Sequence, residues 1–338
     1  MIFNIPIEDL EERYSSQWNN WFPREFEKFD IDYLTLYGEC LTNRIEKGSF
    51  LDVCGTNYFK ADQLKQIVSF VYSGQVKDKD IFFFHDLWFP GIEMLSYMRD
   101  GLGIDFKIYG CLHAGTYDPY DFLSQKGMRK WAEFLEKSWF EIIDGIFVAT
   151  EFHKRILVER RCVDDRKIFV TGFPIYDENS NKSIEKENIV VFPHRLDSEK
   201  NPHLFDLLRR KLCHKYKKWW FLKTKEVCDT KSQYYRLLDK SKIAVSFADQ
   251  ETWGIAMQET MFAGCIPVVP DKLSYVELYD EKFRFDSFKS AILRIESIIN
   301  NVDSELRSEI LSDNLRRLTI KGSEAIYNML NIMLNRKE

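Results

Sequence analysis

The sequence predicts an α/β protein of two doubly wound parallel-sheet domains, and three observations carry that expectation. The chain has 338 residues, enough for two ordinary domains of about 150 residues each. Short apolar runs alternate with amphipathic helical patterns along most of its length, as expected for a parallel sheet covered on both faces. One polar stretch interrupts the alternation near the middle, after which it starts again.

In the first half, Ile2–Ile5, Asp32–Gly38, Ser49–Val53, Asp80–Asp86, Phe106–His113, Gly145–Thr150 and Lys167–Pro174 read as buried strands. Between Lys126 and Ile143, Trp131, Phe134, Leu135, Ser138 and Trp139 recur at helical spacing. For Trp18, Trp21 and Phe22 the plainer alternative is the hydrophobic face of the first helix. The polar stretch YDENSNKSIEKEN, Tyr176–Asn188, reads as the linker. The second half continues with the strand NIVVFPH and a helix over Pro202–Tyr216, then the strand Lys218–Thr224 and a helix over Gln233–Asp239. The strand Lys242–Ala248, a helix over Ile255–Ala263 and the strand Cys265–Pro270 complete it. The expected division is an N-terminal domain over residues 1–176, a linker over 177–188, a C-terminal domain over 189–320 and a closing helix over 321–338. A ligand is expected outside the carboxyl ends of the strands.

Composition narrows the functional classes. With 45% hydrophobic residues the chain can bury large cores, and a net charge of −5 gives no global attraction to nucleic acid or acidic membranes. The first 170 residues hold 21 basic against 28 acidic side chains, whereas Arg195–Lys225 holds ten against three. Seven cysteines without a C-x-x-C pair and six dispersed histidines resemble neither a zinc site nor a disulfide framework, so a reducing cytoplasm is expected. The opening MIFNIPIEDLEERYSS does not read as a signal peptide, and no apolar stretch approaches the roughly 20 residues of a membrane helix. Asp30/Asp32 and Asp78/Asp80 form Asp-x-Asp pairs just before strands, read as non-metal positions.

Chemistry concentrates in the second half. ADQETWGIAMQETMFAGCIPVVP places Glu251 and Glu259 eight positions apart around Trp253-Gly254, with a helix starting near Ile255. Backbone N–H groups at a helix start seat a phosphate or a sugar oxygen, and two carboxylates suit hydroxyl groups that need acceptors in fixed directions. Arg195 and Lys200, directly after a strand, would stabilise charge growing on a departing diphosphate. The plainer alternatives are a solvated loop residue for Glu251, a helix-face residue for Glu259, surface charges for Arg195 and Lys200, and a satisfied strand-end histidine for His113. The basic run RRKLCHKYKKWW reads either as a solvated helix face leading into a strand or as a nucleic-acid contact.

These motifs resemble the GT4-type family of retaining GT-B glycosyltransferases. Arg195-LDSE-Lys200 matches the family's Arg, four residues, Lys, after a strand. Glu251 to Glu259, followed by AGCIPVV, matches its Glu, seven residues, Glu and small-Gly-x-Pro-Val turn. DGIFVATEFHKRIL, KIFVTGFP and HAGTYDP match motifs of the family's first half. The resemblance runs from about Asp80 to Tyr279. It implies two Rossmann-like domains facing a cleft and a UDP- or GDP-linked sugar as co-substrate, with no metal or other cofactor required. It further implies Arg195 and Lys200 on the diphosphate, Glu251 with the backbone of Trp253, Gly254 and Ile255 on the sugar, Glu259 on the ribose, and His113 opposite the sugar. Catalytic roles fall to His113, Arg195, Lys200 and Glu251.

The chain departs from the family pattern in three places. Trp253 stands for the usual Phe, Leu273-Ser274-Tyr275 for a Gly-Gly pair, and IPIEDLEERYSSQWNNW for the glycine-rich loop after the first strand. PHRLDSEKNP resembles the tRNA-queuosine mannosyltransferase group. IPIEDLEERYSSQWNNWFP resembles glycosyltransferases of bacteriophages, which would place the protein in a host cytoplasm. The implied acceptor is a hydroxymethylated pyrimidine, such as 5-hydroxymethylcytosine, in phage DNA. Alternatives are queuosine tRNA, a glycan or a small molecule, or a non-catalytic binding module. Arg13, Tyr14, Gln17, Trp18, Tyr117 and Tyr120 are the acceptor candidates.

Overall fold

A computed structural model describes residues 1–9, 15–41, 52–301 and 304–336. The chain divides into two compact units, Met1–Pro174 with Glu324–Glu338, and Ile175–Ser323.

The first unit contains β1 (Ile2–Ile5), α1 (Ser15–Lys28), β2 (Tyr33–Thr35), α2 (Val53–Tyr72), β3 (Ile81–Phe84), α3 (Glu93–Leu102) and β4 (Lys107–Cys111). It continues with α4 (Phe122–Gln125), α5 (Arg129–Ile142), β5 (Gly145–Val148), α6 (Glu151–Arg161) and β6 (Ile168–Val170). Its strands are all parallel, in the order β2-β1-β3-β4-β5-β6. The second unit contains β7 (Ile189–Phe192), α7 (Pro202–Leu212), β8 (Trp220–Lys223), α8 (Thr224–Val227), α9 (Lys231–Lys240) and β9 (Ile243–Val245). After these come α10 (Ile255–Phe262), β10 (Ile266–Pro270), α11 (Tyr275–Leu278), β11 (Arg284–Phe285), α12 (Phe288–Asn301) and α13 (Ser304–Ser323). Its sheet is also parallel, in the order β11-β10-β9-β7-β8. The last helix, α14 (Ala325–Met333), belongs to the first unit, where it packs on α1 and brings Met329 Sδ to 3.9 Å from Cys111 Sγ.

The apolar runs become strands because they are buried on both faces. Every residue of β1, β3, β5, β7 and β10 is buried, the signature of a parallel sheet between helices. One local expectation is corrected, and the facing of one expected helix is set by its contacts. Residues 49–51 of the expected strand Ser49–Val53 lie outside the described residues, and Val53 opens α2. Asp52 caps that helix by accepting from the N–H groups of Cys54 and Gly55, and an N-cap carboxylate outweighs the strand preference of one valine. In α5 the buried positions are Ala132, Glu136, Trp139 and Phe140, while Trp131 and Phe134 are exposed. The inward face includes Glu136. Its Oε2 lies 2.8 Å from Arg161 Nε and accepts from Thr116 Oγ1 at 2.7 Å, and its Oε1 accepts from Thr116 N. Both charged side chains are essentially fully buried.

His85, His153 and His194 are buried, and desolvation of the cation brings each down to about 3, with His113 a lesser cause for the first two and Lys200 for the third. The folded values are depressed below the unfolded one, so below about pH 6.5 the unfolded chain binds more protons. Stability is therefore full above that pH and is lost as pH falls towards 3, by roughly 1.4 kcal/mol per pH unit for each histidine. Urea titration at pH 7.5 and 5.5 is expected to show both units losing stability, the first more than the second, because burial lowers His85, His153 and also His113 in the first and His194 in the second. Superimposable curves at the two pH values would show that the histidines are not held neutral.

Candidate active site

The carboxyl ends of β7 and β9 form the topological switch point of the second sheet. The chain leaves β7 for β8 on one side and returns to β9 on the other, which opens a crevice between the two loops. Both loops are shaped by local chemistry. Asn201 adopts a left-handed conformation ahead of Pro202, which sits at the start of α7 where its missing N–H costs nothing. Its side-chain amide donates to the Phe247 carbonyl at 3.0 Å and to Asp249 Oδ2 at 2.7 Å, and Asp249 N donates to Glu199 O at 2.7 Å. The two loops are thereby held together.

Within this frame Lys200 and Glu251 meet. The buried Lys200 Nζ donates to the Gln250 carbonyl at 2.5 Å and lies 3.3 Å from Glu251 Oε2. Glu251 Oε1 accepts from Gly254 N at 2.9 Å and Thr252 N at 3.2 Å. Burial by itself would raise the Glu251 carboxyl; the Lys200 ammonium, the nearby His194 and the Gly254 N–H bring it below its ordinary value. Gly254 has φ of 73°, a conformation that costs a side-chain-bearing residue strain, and it turns the chain into α10. Trp253 is buried, with the Lys321 ammonium 5.7 Å from its ring, and Ile255 is half-buried at the first position of the helix. The N–H groups of that first turn have no acceptor within the helix and favour an anion.

Arg195 stands at the same loop with its guanidinium on Glu199 and, at 2.8 Å, on Asp197. A bound anion would have to exchange with these carboxylates. His194, passed over in the motif reading, is buried between the two loops' charges: Lys200 and Arg195 push its pKa down, and Glu251 pushes it up. Its presence in the Pro-His-Arg segment was the available signal. Glu259, one turn into α10, accepts from Tyr234 through Oε2 at 2.7 Å and from Tyr235 through Oε1 at 3.0 Å. Burial raises its pKa, and the two phenols offset part of that rise. The two tyrosines are the other residues that motif reading missed; adjacent aromatics on a helix carry no signal of a shared partner.

His113 follows β4 in the first unit and is half-buried. Its Nε2 meets the His85 carbonyl at 2.7 Å. A carbonyl can only accept, so Nε2 carries the proton and Nδ1 is the acceptor of the neutral ring. Burial lowers its pKa, partly opposed by Asp86, which in turn is paired with Lys60 at 3.0 Å.

The acceptor candidates separate. Arg13 and Tyr14 lie outside the described residues. Trp18 is fully buried, its Nε1 donating to the Pro174 carbonyl and its ring packed on His113 and Phe173, so it is a core residue, as the helix-face reading of α1 expected. Tyr117, the next acceptor candidate, is likewise buried, with its hydroxyl 2.6 Å from His153 Nε2, so its ring and hydroxyl are taken up inside the first unit. Gln17 is half-buried and Tyr120 is half-exposed. In the basic run RRKLCHKYKKWW of the second unit, Arg209 pairs with Asp206 and Lys215 with Glu296. Among the described residues, no cluster of three or more His, Cys, Asp or Glu side chains suits a metal ion, and no helix is long and apolar enough to cross a membrane.

No family model matches the chain. A tRNA-queuosine alpha-mannosyltransferase of Drosophila melanogaster is 25% identical over 166 residues, 38% of this chain and 42% of that protein, so the match spans less than half of the relative's length. The sucrose-phosphate synthase of Thermosynechococcus elongatus superposes with a TM-score of 0.68 at 12% identity, covering 99% of this chain and 98% of that one. TarM of S. aureus, solved in complex with fondaparinux, alpha-GlcNAc-glycerol and UDP, superposes with a TM-score of 0.58 at 17% identity, over 81% of this chain and 59% of its own. The fold is GT-B.

Proposed function

We propose that the chain is a glycosyltransferase that moves a sugar, with retention of configuration, from a UDP- or GDP-linked donor to a hydroxyl on a modified nucleobase. The observation that carries this reading is the Lys200–Glu251 pair beside the start of α10, at the switch point of a GT-B fold. Lys200 and Arg195 take the two phosphates. Glu251, with the backbone around Trp253, Gly254 and Ile255, takes sugar hydroxyls, and Glu259 takes the ribose. His113 faces the sugar, as the family resemblance implies. The bond from the anomeric carbon to the phosphate oxygen breaks as the acceptor oxygen bonds to the same face, and the acceptor's proton passes to the departing phosphate. Two cations at the diphosphate do the work that a metal ion would otherwise do, so the reaction proceeds without one. The paired charges at this loop weigh against a binding module without catalysis.

The acceptor we favour is a hydroxymethylated pyrimidine in DNA, on the resemblance of the segment after β1 to bacteriophage enzymes. Such a base is brought to a cleft by extrusion from the duplex, at a cost of a few kcal/mol. Tyr120 and Gln17 are the described candidates to meet it, and Arg209, Arg210, Lys215, Lys217 and Lys218 to meet the phosphates. The second reading is queuosine in tRNA, favoured by the Drosophila relative.

The test is incubation with a panel of nucleotide-sugars in excess EDTA, using DNA containing 5-hydroxymethylcytosine or its uracil analogue, and queuosine-containing tRNA. Mass spectrometry of the digested nucleosides is expected to show a hexose or pentose added to the modified base and none on unmodified DNA. Addition to queuosine alone selects the second reading. Transfer to neither, by protein that binds the donor, leaves a glycan or small-molecule acceptor. Activity abolished by EDTA and restored by magnesium overturns the metal-independent mechanism.

A further inference from the structure

Both oxygens of Glu259 are occupied by phenols from neighbouring positions of one helix. Thr230 and Gln233 start α9 with a reciprocal capping box, Gln233 N donating to Thr230 Oγ1 at 3.2 Å and the Gln233 side chain accepting from Thr230 N at 3.3 Å. That cap sets the first turn, and the next two residues are Tyr234 and Tyr235. Consecutive helical residues point about 100° apart, yet the two hydroxyls reach the same carboxylate, one oxygen each. The rings meet edge to face, with centroids 5.3 Å apart and planes at 66°. All three side chains are half-buried rather than sealed in the core. A carboxylate oxygen has two lone-pair directions, and a phenol on each oxygen leaves one direction per oxygen open. Two hydrogen bonds, one on each oxygen, restrict rotation of the carboxylate and leave each oxygen a second acceptor direction.

We propose that Tyr234 and Tyr235 are positioning residues that aim the Glu259 carboxylate at the two adjacent ribose hydroxyls of a nucleoside diphosphate. This rests on the donor-site reading above and adds to it the device that makes the carboxylate directional. The phenols do not touch the reacting atoms. Their effect is on recognition of the ribose, and it disappears for a nucleotide that has no ribose hydroxyls to recognise.

The experiment is calorimetric titration of UDP, GDP and their 2′,3′-dideoxy counterparts into the full chain, and into Tyr234→Phe, Tyr235→Phe, the double variant and Glu259→Gln, with thermal melting of each. The better-bound ribonucleotide is expected to weaken about tenfold in the double variant and about threefold in each single one. The dideoxy counterpart is expected to bind all forms alike, and Glu259→Gln to show a loss confined in the same way to the ribonucleotide. If the double variant does not fold, the single variants carry the comparison. Unchanged ribonucleotide affinity in the phenylalanine variants, or an equal loss for ribose and dideoxy forms, overturns the positioning role and leaves the donor site standing. Failure of the unaltered chain to bind either ribonucleotide overturns the donor site and this proposal together.

Discussion

Replacing Lys200 by alanine is expected to lower turnover by about 100- to 1000-fold, the cost of losing one preorganised charge from a reaction that develops negative charge on its leaving group. The structure gives the residue two tasks in one place. Its ammonium is buried against the Gln250 carbonyl and Glu251, so it is held at the crevice before any diphosphate arrives. It is also the main influence that keeps the buried Glu251 carboxyl below its ordinary pKa. The alanine variant should therefore lose activity at neutral pH and lose its remaining activity at a higher pH on the acid side than the unaltered chain. Lys200→Arg keeps the charge but brings a planar fork into a space filled by one ammonium, and is expected to recover only part of the rate. Steady-state turnover of a bound donor across pH measures both effects. Full activity in Lys200→Ala would remove Lys200 from the mechanism.

Replacing Arg161 by alanine is expected to destabilise the first unit by about 3–5 kcal/mol, the usual effect of leaving half of a buried ion pair uncompensated. Glu136 would keep the Thr116 N–H and hydroxyl and the Trp88 indole N–H but lose the Arg161 guanidinium. The loop from His113 to Tyr120 is tied to α5 and α6 through this cluster, so the loss should fall on that loop and on His113. Replacing both partners by methionine is expected to regain much of the stability, because burial of two apolar chains removes the desolvation cost. Calorimetric melting is the measurement, with the expectation that only the transition of the first unit moves. An unshifted transition in Arg161→Ala would show that the pair does not hold this region.

Particular residues show how far local pattern reaches. The apolar runs that became β1, β3, β5, β7 and β10 were legible because strands buried on both faces need no polar face, and that demand writes continuous hydrophobic stretches into the sequence. The strand–loop–helix order around Arg195, Lys200, Glu251 and Glu259 was legible for a related reason. Residues few positions apart at a strand's carboxyl end share one loop, whatever the rest of the chain does. Trp131 and Phe134 share the helical spacing of α5 but are exposed, and spacing by itself does not say which face turns inward. The inward face includes Glu136, and a glutamate reads as inward only once its partner Arg161, 25 positions away, is in place.

The sequence by itself determined that there are two doubly wound halves, where most strands lie, and which charged side chains follow β7 and β9. These are consequences of periodicity and capping within a few residues, and they need no knowledge of neighbours. Only the tertiary structure decided that α14 belongs to the first unit, that His194 is buried among the charges of Arg195, Lys200 and Glu251, and that Tyr234 and Tyr235 close on Glu259. Each depends on contacts between segments whose separation is set by the packing of helices on the sheets, and a side chain's own sequence neighbourhood carries no record of which distant partner the fold will bring to it.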